Sequence, residues 1–207
     1  MEGGIMIATI LKLTRSDCKA LDIKDAYSIH RVVYSLFPRS KDEVQRNFLF
    51  ADKGGDFNGR RILILSKTKP VEPEYGKIES RNVPESFLQF KKYGFKITLN
   101  PVIRNGKEKT TVPVTGKENL RTWFLGKTNG LGFVVDSDSI QVCRMGVMTF
   151  TKKKDAAVFN QTHNIATFMG KLEVVDRKLF IKSFEEGIGR AKGFGFGLLQ
   201  LVPLEDN

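Results

Sequence analysis

The sequence predicts an α+β protein made of two consecutive βαββαβ units. Three observations carry that reading. Short apolar, β-branched runs recur at 5–13, 47–51, 61–65 and 95–99, the composition of strands. Apolar residues at helical spacing follow the first run and return at 117–125 and 178–186, the mark of amphipathic helices. A last helix, a glycine run and a closing apolar segment end the chain at 187–203. With 207 residues, 41% of them hydrophobic, a sizeable core can form in one large or two small domains.

The first unit spans 1–88. Residues 5–13 (IMIATILKL) form its first strand. Residues 17–22 are a polar connection, and Asp22 caps a helix that runs to 37. Pro38 stops that helix. Ala26, Ile29, Val33, Leu36 and Phe37 make its inward stripe. Tyr27, His30 and Tyr34 follow i, i+3, i+7 spacing and so share one edge of the stripe. Residues 47–51 and 61–65 are the next strands, joined as a hairpin through Gly54-Gly55 and Asn58-Gly59. Residues 70–80 form a loop, and a short strand falls near 77–83. The order is that of a ferredoxin-like, or RRM-like, unit whose second helix is degraded.

The second unit spans 89–207, with the boundary falling within 84–94. Residues 95–99 open it and Asn100-Pro101 breaks the strand. Arg104, Lys107 and Lys109 lie on a basic turn, after which 111–114 returns extended. A helix over 117–125 points Leu120, Trp123 and Phe124 inward, and 126–132 is a glycine-broken connector. Residues 142–150 are a strand, and Lys152, Lys153 and Lys154 sit on a cationic turn that ends at 155. A return strand covers 166–175, leaving His163 in a polar, solvated turn. A helix over 178–186 turns Leu179, Phe180 and Phe184 inward.

Charge narrows the partner. Lys and Arg number 34 against 23 Asp and Glu, a net charge of +11. Such a balance suits a polyanion, nucleic acid first and an anionic membrane surface second. No apolar run approaches the roughly 20 residues that span a bilayer, so no membrane segment is expected. Cys18 and Cys143 have neither framework nor metal spacing and read as reduced thiols of a cytoplasmic protein. There is no metal-ligand pattern, Walker loop or dinucleotide fingerprint, so no cofactor and no metal are expected.

The run GIGRAKGFGFG at 187–197 is where the chain converges. Glycine allows close backbone approach and φ > 0, and successive N–H groups form anion-binding concavities. Gly189, Arg190, Lys192 and Gly193 therefore read as a clamp for a phosphate backbone, feeding a buried strand. The competing reading is a glycine-rich turn with two solvated cations.

The same run resembles the carboxy-terminal signature of the CRISPR-associated CasE endoribonucleases. Other stretches resemble that family in the same order. They are Tyr27-Ser28-Ile29-His30-Arg31, Phe48-Leu49-Phe50, Lys96-Ile97-Thr98-Leu99-Asn100-Pro101, Val112-Pro113-Val114 and the segment 170–176. The resemblance covers nearly the whole chain. It implies two tandem ferredoxin-like folds and metal-independent cleavage of CRISPR repeat hairpin RNA. It also implies that the protein stays with the crRNA product among other Cascade subunits.

It further implies the site. RNA cut by its own 2′-hydroxyl needs one proton removed, one donated and the phosphorane charge stabilised. Imidazole titrates near neutrality and can serve either transfer. His30 is read as the general acid or base, the direction left open. Tyr27, a phenol, orients the hydroxyl or the phosphate. Where some members carry a lysine one turn past the histidine, this chain has Ser35, so Arg31 or Lys192 must supply the cation. The lysines 152–154 resemble a basic hairpin that the family sets against the RNA stem. A-form stems offer phosphate and shape rather than base edges, which suits cationic loops. The alternative is a non-catalytic RNA-hairpin-binding subunit of a ribonucleoprotein complex.

Overall fold

The structure, a computed structural model, describes residues 5–38, 46–104, 110–154 and 157–205, with the backbone alone across 151–160. It is a mixed α+β protein with two antiparallel sheets. The first sheet holds β1 (Ile7–Leu13), β2 (Phe48–Asp56), β3 (Gly59–Ser66) and β4 (Lys77–Asn82), in the order β2-β3-β1-β4. The second holds β5 (Lys92–Leu99), β8 (Phe133–Val135), β10 (Ala157–Val174) and β11 (Gln200–Leu204), in the order β11-β5-β10-β8, with β9 (Gln141–Lys154) also paired to β10. In each sheet the unit's first strand lies inside, beside its last. Strands β6 (Val102–Arg104) and β7 (Thr111–Pro113) form a separate ribbon.

The first helical region differs from expectation. Residues 17–22 are not only a connection: α1 (Arg15–Ala20) forms there because Thr14 and Asp17 cap each other reciprocally. The cap of α2 (Ala26–Ser35) is Asp25 rather than Asp22. The Asp25 carboxylate accepts from the Ser28 N–H, and the Ser28 hydroxyl accepts from the Asp25 N–H. Asp22 instead takes a left-handed turn conformation, φ 50°.

The second half departs more. Lys152, Lys153 and Lys154 are not on a turn. Their backbone belongs to β9 and pairs with Phe159, Val158 and Ala157. His163 is likewise inside β10, opposite Met148. Ladder hydrogen bonding uses the backbone, so a polar stretch can continue a strand when neither side chain face is wholly buried. Charge and polarity alone misread these segments as a turn. Leu179 lies on α4 (Arg177–Glu186) but is 42% exposed, while Phe180 and Phe184 are buried as expected. The final strand is an edge strand rather than a buried one, with Val202 65% exposed. The buried residues are Phe196, Leu198 and Leu199 just before it.

Strand periodicity explains how the halves are joined. Successive strand residues face opposite sides. On β2, Phe48 and Phe50 pack with Ile29, Val33 and Leu36 of α2 and its cap, together with Ile62 and Ile64 of β3. Leu49 and Ala51, one step over, join Leu65 in a second core with Phe95, Ile97, Phe168, Phe180, Phe184 and Leu199. Helix α3 (Lys117–Lys127) adds Leu120 and Phe124, whose ring stacks on Phe168 at 4.4 Å. The first sheet is thus covered on both faces, by its own helix and by the second half.

Leu49 is 3% exposed and belongs to the core of the second half. Leu49→Ala is expected to cost about 2–5 kcal/mol, the usual range for emptying a packed leucine site. Urea unfolding followed through Trp123, the one tryptophan and a resident of α3, should show the loss. An unmoved Trp123 transition would mean that the halves are not one core.

Candidate active site

The site forms where α2 meets the glycine-rich run. His30 is half-buried on the edge of α2, and its Nδ1 donates to the Gly193 carbonyl at 2.7 Å. A carbonyl can only accept, so this bond places a proton on Nδ1 and leaves Nε2 as the acceptor nitrogen of the neutral ring. The ring is held between others: Tyr34 at 4.0 Å between centroids, Phe194 at 5.1 Å and Tyr27 at 5.6 Å. Tyr27 also stacks on Phe150 of β9 at 5.9 Å, and the Arg31 guanidinium lies 6.0 Å over the Tyr27 ring. The expected trio of His30, Tyr27 and Arg31 is therefore assembled in one place.

The glycine run owes its shape to its own geometry. Ile188 donates to the Gly197 carbonyl and Gly197 to the Thr98 carbonyl, both at 2.9 Å. Gly197 has φ +86°, and a Cβ there would meet the Ile188 oxygen at 2.4 Å, so only glycine fits. This closure carries a single 3₁₀ turn, Lys192–Phe194, which presents the Gly193 carbonyl to His30. Gly189 packs against Leu99, and Arg190 is exposed. The Lys192 ammonium donates to the Glu186 carbonyl at 2.7 Å. Burial pushes its pKa down, and the nearby Arg46 charge adds to that.

His163 is not the solvated turn residue expected. Its ring lies 5.2 Å from Phe194, 5.6 Å from Phe150 and 6.0 Å from Phe196. Both histidines of the chain thus flank Phe194. The Asn100 amide donates to His163 Nδ1 at 3.3 Å, and Asn100 Oδ1 accepts from the Asn164 N–H. That leaves the His163 proton on Nε2, which is buried with no hydrogen-bond partner among the described residues. Burial lowers its pKa. The Asn100-Pro101 strand break is legible in the sequence, but nothing in its pattern ties Asn100 to His163.

Other expected residues lie elsewhere. Arg104 is exposed at the end of β6, while Lys107 and Lys109 fall outside the described residues. Lys152, Lys153 and Lys154 have described backbone only. Ser35, standing where some CasE chains carry lysine, donates to the Val32 carbonyl and is exposed. Arg46 is a residue that sequence reasoning does not single out. Its Nη1 lies 3.4 Å from where a Gly193 Cβ would stand, beside the Tyr34 hydroxyl at 3.2 Å and His30 Cε1 at 3.8 Å. Among the described residues, no three His, Cys, Asp or Glu side chains gather as a metal site would require.

An imidazole with one nitrogen committed to the backbone and cations close by is equipped for proton transfer beside an anion. Comparison with known proteins supplies the group. The chain belongs to the CRISPR associated protein family, whose model matches residues 7–203. It is 26% identical over 196 residues to the CRISPR system Cascade subunit CasE of Escherichia coli (strain K12), covering 87% of this chain and 94% of that one. It is 21% identical over 197 residues to the CRISPR-associated endoribonuclease Cse3 of Thermus thermophilus, covering 88% and 92%. Among solved structures, CRISPR endoribonuclease Cse3 bound to 19 nt RNA superposes with a TM-score of 0.83 over 97% of this chain and 100% of that one, at 20% identity. The resemblance to the CasE endoribonucleases is borne out.

Burial holds His163 below the ordinary histidine range, so the folded state binds a proton less readily than the unfolded chain. Stability from this group is full above about pH 6.5 and declines as pH falls below it. His163→Gln should flatten that decline when urea midpoints at pH 7.5 and pH 5.5 are compared, by about the limits of one titrating histidine. An unaltered decline in the variant would place the acid sensitivity elsewhere.

Proposed function

We propose that this protein is a metal-independent endoribonuclease that binds CRISPR repeat hairpin RNA and cuts it to mature crRNA. The observation that carries the reading is the His30 Nδ1–Gly193 carbonyl bond, which sets the tautomer and keeps the protonated nitrogen on the loop. The names of its relatives, a Cascade subunit and an endoribonuclease, and the RNA-bound state of a structural neighbour agree with it. The net charge of +11 suits the substrate.

The chemistry needs only the RNA's own nucleophile. The 2′-hydroxyl loses its proton and its oxygen attacks the adjacent phosphorus. The bond to the 5′-oxygen breaks, and that oxygen takes up a proton. The products are a 2′,3′-cyclic phosphate and a 5′-hydroxyl. His30 Nε2 serves one of the two transfers. Tyr27, one helical turn before it, orients the ribose–phosphate junction. Arg31 or Lys192 supplies the cation that offsets the charge building on the phosphorane. Gly189, Arg190 and Gly193 line the backbone approach, and Arg104, Lys107, Lys109 and lysines 152–154 bind the stem.

The two sheets are read as tandem ferredoxin-like units, 1–88 carrying the helix of His30 and 89–207 carrying the basic arms and the glycine loop. Both strand orders agree with that topology. No described helix is long and apolar enough to cross a membrane. The location proposed for it is the cytoplasm, with crRNA and other Cascade subunits as partners.

His30→Ala should slow cutting of the repeat hairpin in EDTA by about 10²–10⁴-fold, the span general acid–base catalysis supplies. Hairpin affinity should stay within a few-fold, and the wild-type product should end in a 2′,3′-cyclic phosphate. RNA left intact by the wild type but bound in a salt-sensitive way would favour the non-catalytic binding subunit. Replacing Lys152, Lys153 and Lys154 together by Ala should reduce the slope of log affinity against log salt by about 0.7–0.9 for each phosphate these lysines neutralise. An unchanged slope would free that arm from any part in RNA binding.

A further inference from the structure

Behind the Gly193 turn lies a cavity of about 470 Å³, lined by Arg46, Asn47, Phe48, Lys67, Glu186 and Lys192 with two further residues. Three cations face it, and none of them forms an ion pair among the described residues. Glu185 and Glu186 also border it; among the described residues neither forms an ion pair with a cation there, although the Glu186 charge acts on Lys192 and offsets part of its cost. Among the described residues the buried Arg46 Nε has no hydrogen-bond partner, while the guanidinium lies 5.9 Å over the Phe48 ring. Lys192 satisfies itself on an uncharged backbone carbonyl. Leaving a buried charged donor unsatisfied is costly, and bringing two cations together adds to that cost. An anion seated between them removes both penalties.

We propose that this cavity is an RNA phosphodiester site, with the Arg46 guanidinium and the Lys192 ammonium gripping the phosphate next to the one His30 serves. The position rests on Gly193. Arg46 Nη1 and His30 Cε1 lie 3.4 Å and 3.8 Å from the same point beside its Cα, so the guanidinium that lines the cavity also reaches the face of Gly193 that the imidazole meets. A planar guanidinium matches two phosphate oxygens at once, which an ammonium cannot do. Asn47 holds the rim in place: its carbonyl accepts from the Lys67 N–H at 2.9 Å and its amide donates to Thr68. The inference rests on the RNA-cleaving reading of the site, and it is tested on binding so that the two can fail separately.

The experiment uses the full chain and the repeat hairpin RNA carrying a 2′-deoxy nucleotide at the cut, which binds but cannot react. Anisotropy titrations over a salt series compare wild type, Arg46→Met, Arg46→Lys and Lys192→Met. Arg46→Met should weaken binding by about tenfold at low salt and reduce the salt slope by about 0.7–0.9, the signature of one phosphate no longer neutralised. Arg46→Lys should keep the slope and recover part of the affinity, and Lys192→Met should repeat the loss of slope. Thermal melts confirm folding, and if Arg46→Met does not fold, the Lys192→Met and Arg46→Lys pair decides. Wild-type affinity and slope in either methionine variant that folds would overturn the proposal. A wild-type chain that does not bind the hairpin would instead overturn the functional reading beneath it.

Discussion

One hydrogen bond ties the architecture together. His30 sits on a helix of the first half, and the oxygen that orients it belongs to a loop of the second. The bond therefore exists only when the halves are docked. Docking is secured by the first sheet, which gives Phe48 and Phe50 to one core and Leu49 and Ala51 to the other. Alternation along a single strand is what makes this possible. The chemistry of the imidazole is thus a property of the whole chain rather than of the helix that carries it.

The surroundings of that bond are mostly aromatic. Tyr27, Tyr34, Phe150 and Phe194 bracket the two histidines. Stacked rings hold a side chain in place without competing for its proton. Polar groups are few and each has a defined task. Asn100 fixes His163, the Gly193 carbonyl fixes His30, and Lys192 reaches the end of α4. The glycines that resemble a phosphate cradle owe their positions first to backbone geometry. Gly197 could be no other residue, because the Ile188 oxygen occupies the space a side chain would need.

Much of this is legible in the sequence. The apolar runs at 47–51 and 61–65 mark their strands, and the periodic stripe of α2 places Tyr27 and His30 on one edge. Pairing across distance is not legible. His163 lies in a run, NQTHN, whose polarity reads as a turn, and only the ladder with β9 puts it inside a strand. The lysines 152–154 read as a turn for the same reason. The cap of α2 is hidden because two aspartates stand close together and only Asp25 has a serine three residues on to answer it. Arg46 stands before an apolar strand like any rim cation, and its neighbourhood is made by a loop nearly 150 residues away.

The acceptor that orients His30 is a peptide oxygen, and every amino acid has one. Replacement of the side chains at 192 and 194 leaves that oxygen in place as long as the glycines around it keep the loop's path. The proton inventory of the imidazole is therefore insulated from the side chains of the turn that sets it. Backbone path, not residue identity at 192 and 194, decides where that proton sits.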